Sequence, residues 1–208
     1  MNRLTVIAAI AGAAIIISAS FLLAGDTYSK STPIYETGFT YYDIETIQNV
    51  LAEQNIIVSA PTAITDHTIG EYCTFFENGL PQTVEYCTTT AVLDSQGNAL
   101  GNINIGGSIQ SPVMAVANLE TSTLESNRSD VFAVFETMIE TLVCDCWEAK
   151  QSEDYESISS WLEAAHAFYS DSGERNIKSK IDNLGNSKIF LEITSKDNSV
   201  LQTLIILK

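Results

Sequence analysis

Residues Leu4 to Ala24 read LTVIAAIAGAAIIISASFLLA, an uncharged run between Arg3 and the first acid, Asp26. As a helix it is about 31 Å long, the depth of a bilayer's hydrocarbon core. Arg3 and the amino terminus are the only positive charges near its start, a bias that holds that end in the cytoplasm and sends the carboxyl end out. Residues 1–25 are therefore expected to be a signal anchor or transmembrane helix, with the membrane as partner through residues 4–24. A cleaved signal peptide is the second reading, since it too has a short positive start and an apolar middle. Length favours the anchor: signal cores run about 7 to 15 residues, and the small-residue cleavage positions near Ser18 to Ser20 and at Ala24 are weak. The expected location is the cell membrane, single pass with the C-terminal domain outside, or secretion after cleavage.

The rest of the chain, about 184 residues, fits one ordinary domain. Its charge is lopsided. The formal net charge is −16, and between Lys30 and Arg128 eleven acids stand without one lysine or arginine. Phosphate backbones are repelled by such a surface, so no nucleic-acid partner is expected. The acids read as cation binding, a basic partner or solubility in a salty exterior, and their scatter, unlike the spacing of a calcium loop, favours solubility.

Residues 26–40 carry Ser, Thr, Gly38 and Pro33 without apolar periodicity and read as a linker. In residues 41–208 Asp43 can cap a helix lined by Ile44, Ile47, Val50 and Leu51 and ended by Asn55. Ile56 to Val58 reads as a short strand stopped by Pro61. Strands are then expected over Ile69–Phe76, Thr83–Leu93, Ala99–Ile105 and Val113–Asn118, with Asp94-Ser95-Gln96-Gly97-Asn98 turning the second into the third. A long helix spans about Asp130 to Ala149, with Val131, Val134, Phe135, Met138, Leu142 and Cys146 at helical spacing. A second, capped by Ser152, carries Tyr155, Ile158, Trp161, Leu162, Ala165, Phe168 and Tyr169 and stops at Gly173. Alternation at Ile189, Leu191 and Ile193, a turn over Lys196 to Ser199 and the apolar Val200–Leu207 close the chain with strands, the last one central or doubly covered. The fold class is α+β: one domain of a mostly antiparallel sheet packed by two or three helices.

The four cysteines are Cys73, Cys87, Cys144 and Cys146, the first two inside an echoed Glu-Tyr-Cys-Thr. In an exported domain they are expected to be oxidised, and four allow three pairings. If Cys73 faces Cys87 across a hairpin whose loop runs from about Glu77 to Thr83, both sulfurs share one face. A tight turn at Asn78-Gly79 instead throws them onto opposite faces. Pro81 disfavours that tight register, because it would sit in the ladder without an N–H. Cys73 with Cys87 at a non-hydrogen-bonded pair is therefore the preferred bridge. The other pairings tie Cys73 or Cys87 to Cys144 or Cys146 and clamp the long helix to the sheet. Loop-closure entropy gives about 3 kcal/mol for the short loop and about 4 kcal/mol for the clamp, too close to choose between them. Within a continuing helix Cys144 and Cys146 point about 200° apart and do not bond. If the helix ends earlier they can form a strained pair with redox character.

That pair carries the alternative to a structural role: a thiol-redox site, or thiolates for copper or zinc together with Cys73 and Cys87. No Cys-x-x-Cys is present, and the only histidines are His67 and His166. His67 reads as a loop residue. His166, one turn after Glu163, suggests a helix-side ion pair or, as a weaker reading, the acid–base centre of a hydrolase. Gly106-Gly107-Ser108 is too short for a phosphate loop and reads as a turn. Asn127-Arg128-Ser129 is a glycosylation sequon, with helix capping by Asn127 or Ser129 as the competing explanation.

The string Tyr72-Cys73-Thr74-Phe75-Phe76, then Tyr86-Cys87-Thr88-Thr89-Thr90 with Asp94 to Ile103, then Val143-Cys144-Asp145-Cys146-Trp147-Glu148, is similar to an uncharacterised family of exported, N-terminally membrane-anchored proteins of ammonia-oxidising archaea. The resemblance covers about residues 40 to 208. It implies location and class, no assigned activity, and a single constellation of the four cysteines. The function expected from all of this is a membrane-tethered extracytoplasmic interaction or accessory domain, stabilised by disulfides, with an unknown protein partner, no cofactor and no derivable reaction.

Overall fold

The alternation of Ile103 and Ile105 with Asn102 and Asn104 requires a sheet with one apolar and one polar face, and the computed structural model contains it. It describes residues 38–65, 67–77, 80–144, 147, 155–184 and 186–208. The anchor over residues 4–24 and most of the linker lie outside the described residues, as do Cys146 and Ser152. Among the described residues no helix is long and apolar enough to cross a membrane. Gly38–Lys208 is one compact unit.

Its elements run α1 (Asp43–Glu53), β1 (Ile57–Val58), β2 (Thr62–Ala63), α2 (Ile69–Tyr72), β3 (Thr74–Glu77), β4 (Leu80–Thr83), β5 (Tyr86–Leu93), β6 (Ala99–Gly107), β7 (Pro112–Thr121), α3 (Arg128–Leu142), α4 (Ile158–Ser172), β8 (Asn176–Leu184), β9 (Ser187–Lys196) and β10 (Ser199–Leu207). The eight-stranded sheet has the order β1-β5-β6-β7-β10-β9-β8, with β2 also on β5, and every pair is antiparallel. Two three-stranded meanders, β5-β6-β7 and β8-β9-β10, thus meet at the β7–β10 pair, and α3 and α4 form the connection between them.

Helices cover one face. Alternation puts Ile103, Ile105, Ala115, Ala117, Leu119, Leu204, Ile206, Ile189, Leu191 and Ile193 against them, all buried. The central helix α3 is buried on most of its circumference, as a helix packed against both α1 and α4 must be. Gly173 ends α4 with a left-handed φ of 67°, and the Ser157 hydroxyl caps its start by accepting from the Ser160 N–H at 3.0 Å. Asn55, at φ 62°, follows the end of α1.

Several expectations are corrected. Ile69–Tyr72 is a single helical turn, not the start of a strand, and the strand of that region begins at Thr74. The cap of α4 is Ser157, which leaves Tyr155 outside the helix. The long helix stops at Leu142 rather than near Ala149, so Cys144 lies beyond it. Gly106 and Gly107 belong to β6, and the turn is Ser108 to Ser111, closed by the Ser108 N–H on the Ser111 carbonyl at 3.0 Å. β8 was not foreseen.

Candidate functional site

Among the described residues the second face of the sheet carries no helix longer than the single turn α2. Cys87, Thr89, Asn102, Asn104, Gly106, Met114, Val116, Asn118, Thr203 and Ile205 alternate with the core positions and point there. One corner is covered by the chain from β2 to β4, whose Ile69, Cys73 and Val84 pack with Cys87, Met114, Val116 and Leu207 in a separate apolar cluster. A disulfide between Cys73 and Cys87, with Cα atoms 6.4 Å apart, fastens it. Gly106, paired opposite Cys87, leaves room: a Cβ there would stand 2.9 Å from Val84 Cγ2 and 3.4 Å from Cys87 Sγ.

The preferred bridge is therefore present, but not across a hairpin. β3 pairs with β4 in the tight register, Thr74 opposite Thr83 and Phe76 opposite Pro81, as a ribbon apart from the main sheet. Both strands of such a ribbon are edges, so the missing N–H of Pro81 is accommodated there. Cys87 belongs to β5, outside that ribbon, and parity within the hairpin does not govern it.

A groove of about 420 Å³ opens where this covering segment meets the sheet. Ile64, Thr65, Thr68 and Tyr72 line one side, Thr89 and Asn102 the other. Behind it Asn104 is fully buried, opposite Thr89 in the ladder, with its Nδ2 donating to the Tyr72 carbonyl at 3.3 Å. Its Oδ1 has no hydrogen-bond partner among the described residues. From Asn102 a polar row continues over neighbouring strands. Asn118 Nδ2 donates to Asn102 Oδ1 at 3.3 Å, Thr203 Oγ1 donates to Asn118 Oδ1 at 3.1 Å, and Lys178 pairs with Glu192 at 2.5 Å at the far end.

The residues singled out from the sequence stand elsewhere. Cys144 is disulfide-bonded and packs against the helix-side core, across the sheet from Cys73 and Cys87. Of the four cysteines considered as copper or zinc ligands, Cys73 and Cys87 are thus bonded to each other on one face, Cys144 lies on the other, and Cys146 lies outside the described residues. His67 is exposed. His166 is buried under α4, its Nε2 2.8 Å from Gln202 Oε1 and its ring edge-on to Phe132 at 4.7 Å, while Glu163 is exposed. Burial lowers the His166 pKa; the Gln202 hydrogen bond opposes that and the Arg128 charge adds to it. The expected ion pair with Glu163 is replaced by a neutral amide partner from the sheet.

Asn127 is half-buried in a left-handed conformation at the start of α3, and its Nδ2 donates to Asp94 Oδ2 at 2.6 Å. The amide of the sequon thus serves the fold by tying α3 to the β5–β6 turn.

No binding or catalytic motif in the sequence singles out Tyr72, Thr89, Asn102 and Asn104. A signal was present in the strand itself, since asparagine is depleted in strands and two of them here occupy one face of β6. Compared with known proteins, the chain matches no family model, no curated sequence and no solved structure.

Proposed function

We propose that this chain is an exported binding module, held at the outer face of a membrane by residues 4–24 and acting as an accessory or interaction domain rather than as a catalyst. The observation that carries the reading is the Cys73–Cys87 disulfide, which staples a segment of little regular structure onto the open face of the sheet. Bridges of this kind persist in oxidising compartments and are reduced in the cytosol. The acidic surface supports the same reading, because high charge is tolerable where salt screens it. His166, one turn after Glu163, is turned into the core, which supports binding over acid–base chemistry at that point.

A thiol-redox role of Cys144 and Cys146 is the second reading. It is favoured by one observation: Cys144 is oxidised and stands past the end of α3, where no helix constrains it.

Intact mass of the native full-length protein after alkylation, with and without reductant and alongside metal analysis, tests both. No alkylated sulfur without reductant and four with it is the expected result. Four alkylated thiols without reductant, with stoichiometric copper or zinc, would overturn the structural role. Two that become reactive under mild reductant, at Cys144 and Cys146, would favour the redox reading.

A further inference from the structure

We propose that the groove between the Ile64–Tyr72 segment and the sheet binds a neutral, hydroxyl-rich ligand, a short oligosaccharide. The inference rests on the reading of this chain as an exported binding module and gives that module its ligand class.

Size comes first. A groove of about 420 Å³ falls within the range of about 300–1,000 Å³ typical of small-molecule sites. Charge selects next. Among the described residues the lining side chains supply hydroxyls from Thr65, Thr68 and Thr89, an amide from Asn102 and the ring of Tyr72, with no Asp, Glu, Lys, Arg or His among them. Between Lys30 and Arg128, the stretch that holds the described lining residues, there is no lysine or arginine to attract an anion. Among the described residues no carboxylate lines the groove. An uncharged ligand that both gives and takes hydrogen bonds fits this inventory.

The polar groups are also prearranged. Asn102 Oδ1 already accepts from Asn118, whose own Oδ1 accepts from Thr203, so Asn102 is oriented by the row behind it and its Nδ2 is the end left to donate to a ligand. Asn104 Oδ1 is a buried acceptor without a partner among the described residues, set between Thr89 across the ladder and Asn102 two positions away, and its Nδ2 is bound to the carbonyl of Tyr72. A buried acceptor without a partner is costly, and a hydroxyl or a ligand-carried water reaching it would relieve that cost. Tyr72 is 44% exposed, an aromatic face at the rim on which the C–H side of a sugar ring can stack while its hydroxyls meet the threonines and Asn102.

The test uses full-length protein in phosphatidylcholine nanodiscs, free of sugar detergents, with its disulfides intact by mass. Probes are maltotriose, mannobiose and N,N′-diacetylchitobiose, against a charged control, tri-galacturonate, and an uncharged peptide control, tetra-alanine amide, by titration calorimetry. At least one neutral oligosaccharide is expected to bind and the galacturonate is not. Tyr72→Ala and Asn102→Ala are each expected to weaken binding about tenfold or more, with the melting temperature unchanged, while Lys178→Ala at the far end of the row leaves it intact. Because Asn102 is part of a ladder, Thr68→Val serves as a second variant that leaves the sheet untouched. Binding of no neutral sugar by oxidised, folded protein, binding that ignores these variants, or preference for the peptide would overturn the ligand class. Such a failure would leave the exported, oxidised module standing; free thiols in the native protein would bring down that module independently.

Discussion

His166 Nε2 and Gln202 Oε1 lie 2.8 Å apart in the interior between α4 and β10, and both residues are buried. The remaining polar atoms of the pair, His166 Nδ1 and Gln202 Nε2, have no partner among the described residues. Burial holds the folded-state pKa of His166 below its ordinary value of 6.5. A lowered histidine pKa means that the unfolded chain takes up the proton first, so the neutral ring contributes stability above about pH 6.5 that is lost as pH falls through the folded-state pKa. The denaturant midpoint of the wild type is expected to drop between pH 7.5 and 5.5, with a slope approaching about 1.4 kcal/mol per pH unit at most. His166→Leu should lack that part of the slope. Equal pH dependence in the two proteins would show that the ring is not buried.

Asp94 gathers the β5–β6 turn onto α3. Its Oδ1 accepts from the backbone N–H groups of Gln96 and Asn98 at 2.9 and 2.7 Å, and its Oδ2 from Asn127 at 2.6 Å. Burial alone would raise this carboxyl, but the donors from Asn98, Gln96 and Asn127 outweigh it, and the net pKa lies below 3.8. A depressed carboxylate stabilises the fold above about pH 4 and ceases to do so as pH falls through its folded value. Asn127→Ala is expected to lower the melting temperature at pH 7, and Asn127→Asp to lower it further by placing a second carboxylate against the first. The difference between the two variants should shrink at pH 3, as read by thermal melts. A full-strength difference at pH 3 would exclude charge repulsion as the cause.

The Cys73–Cys87 bridge closes a span of 14 positions and fixes the segment that forms one wall of the groove. Cys73→Ser with Cys87→Ser is expected to cost about 3 kcal/mol, the loop-closure entropy of a bridge this short. Amide exchange should accelerate over the described residues from His67 to Val84 while Ile103 to Ile105 stay protected, since the large apolar cluster does not include the bridge. Uniform acceleration across the sheet would mean that the segment and the sheet unfold as one unit.

How much of this was legible in the chain varied with how local the signal was. The β5–β6 hairpin follows from alternation around Asp94 to Asn98, and the end of α4 from Gly173, because each depends on neighbouring residues. β8 was not legible. Its buried residues Ile177, Ile181 and Leu184 recur at three to four positions, because Ser179 fills one inward place and the Trp161 indole donates to it at 2.7 Å. The helical turn at Ile69–Tyr72 reads as strand by composition and is held by tertiary contacts of Ile69 and Cys73. Pro81 sits in the tight register because β3 and β4 form a separate two-stranded ribbon whose strands are both edges, an isolation that the local pattern does not encode. The groove depends on the asparagines of β6 meeting Tyr72, 32 positions from Asn104, and no periodicity carries such a contact.

Gly101 tests whether the row of amides on the open face needs its close strand approach. It sits in β6 beside the irregular step at Val92/Leu93, facing Leu119 of β7 in register. A Cβ built there would lie 1.9 Å from the Asn118 carbonyl oxygen and 2.9 Å from Leu119 Cα, both backbone atoms that cannot swing away. Gly101→Ala must therefore push β6 from β7, at an expected cost of about 2–3 kcal/mol in denaturant unfolding. The same displacement would lengthen the Asn118–Asn102 hydrogen bond, now 3.3 Å, and so loosen the residue that presents its amide to the groove. A variant of wild-type stability with unaltered amide exchange at Asn118 would show that the two strands are not held this closely.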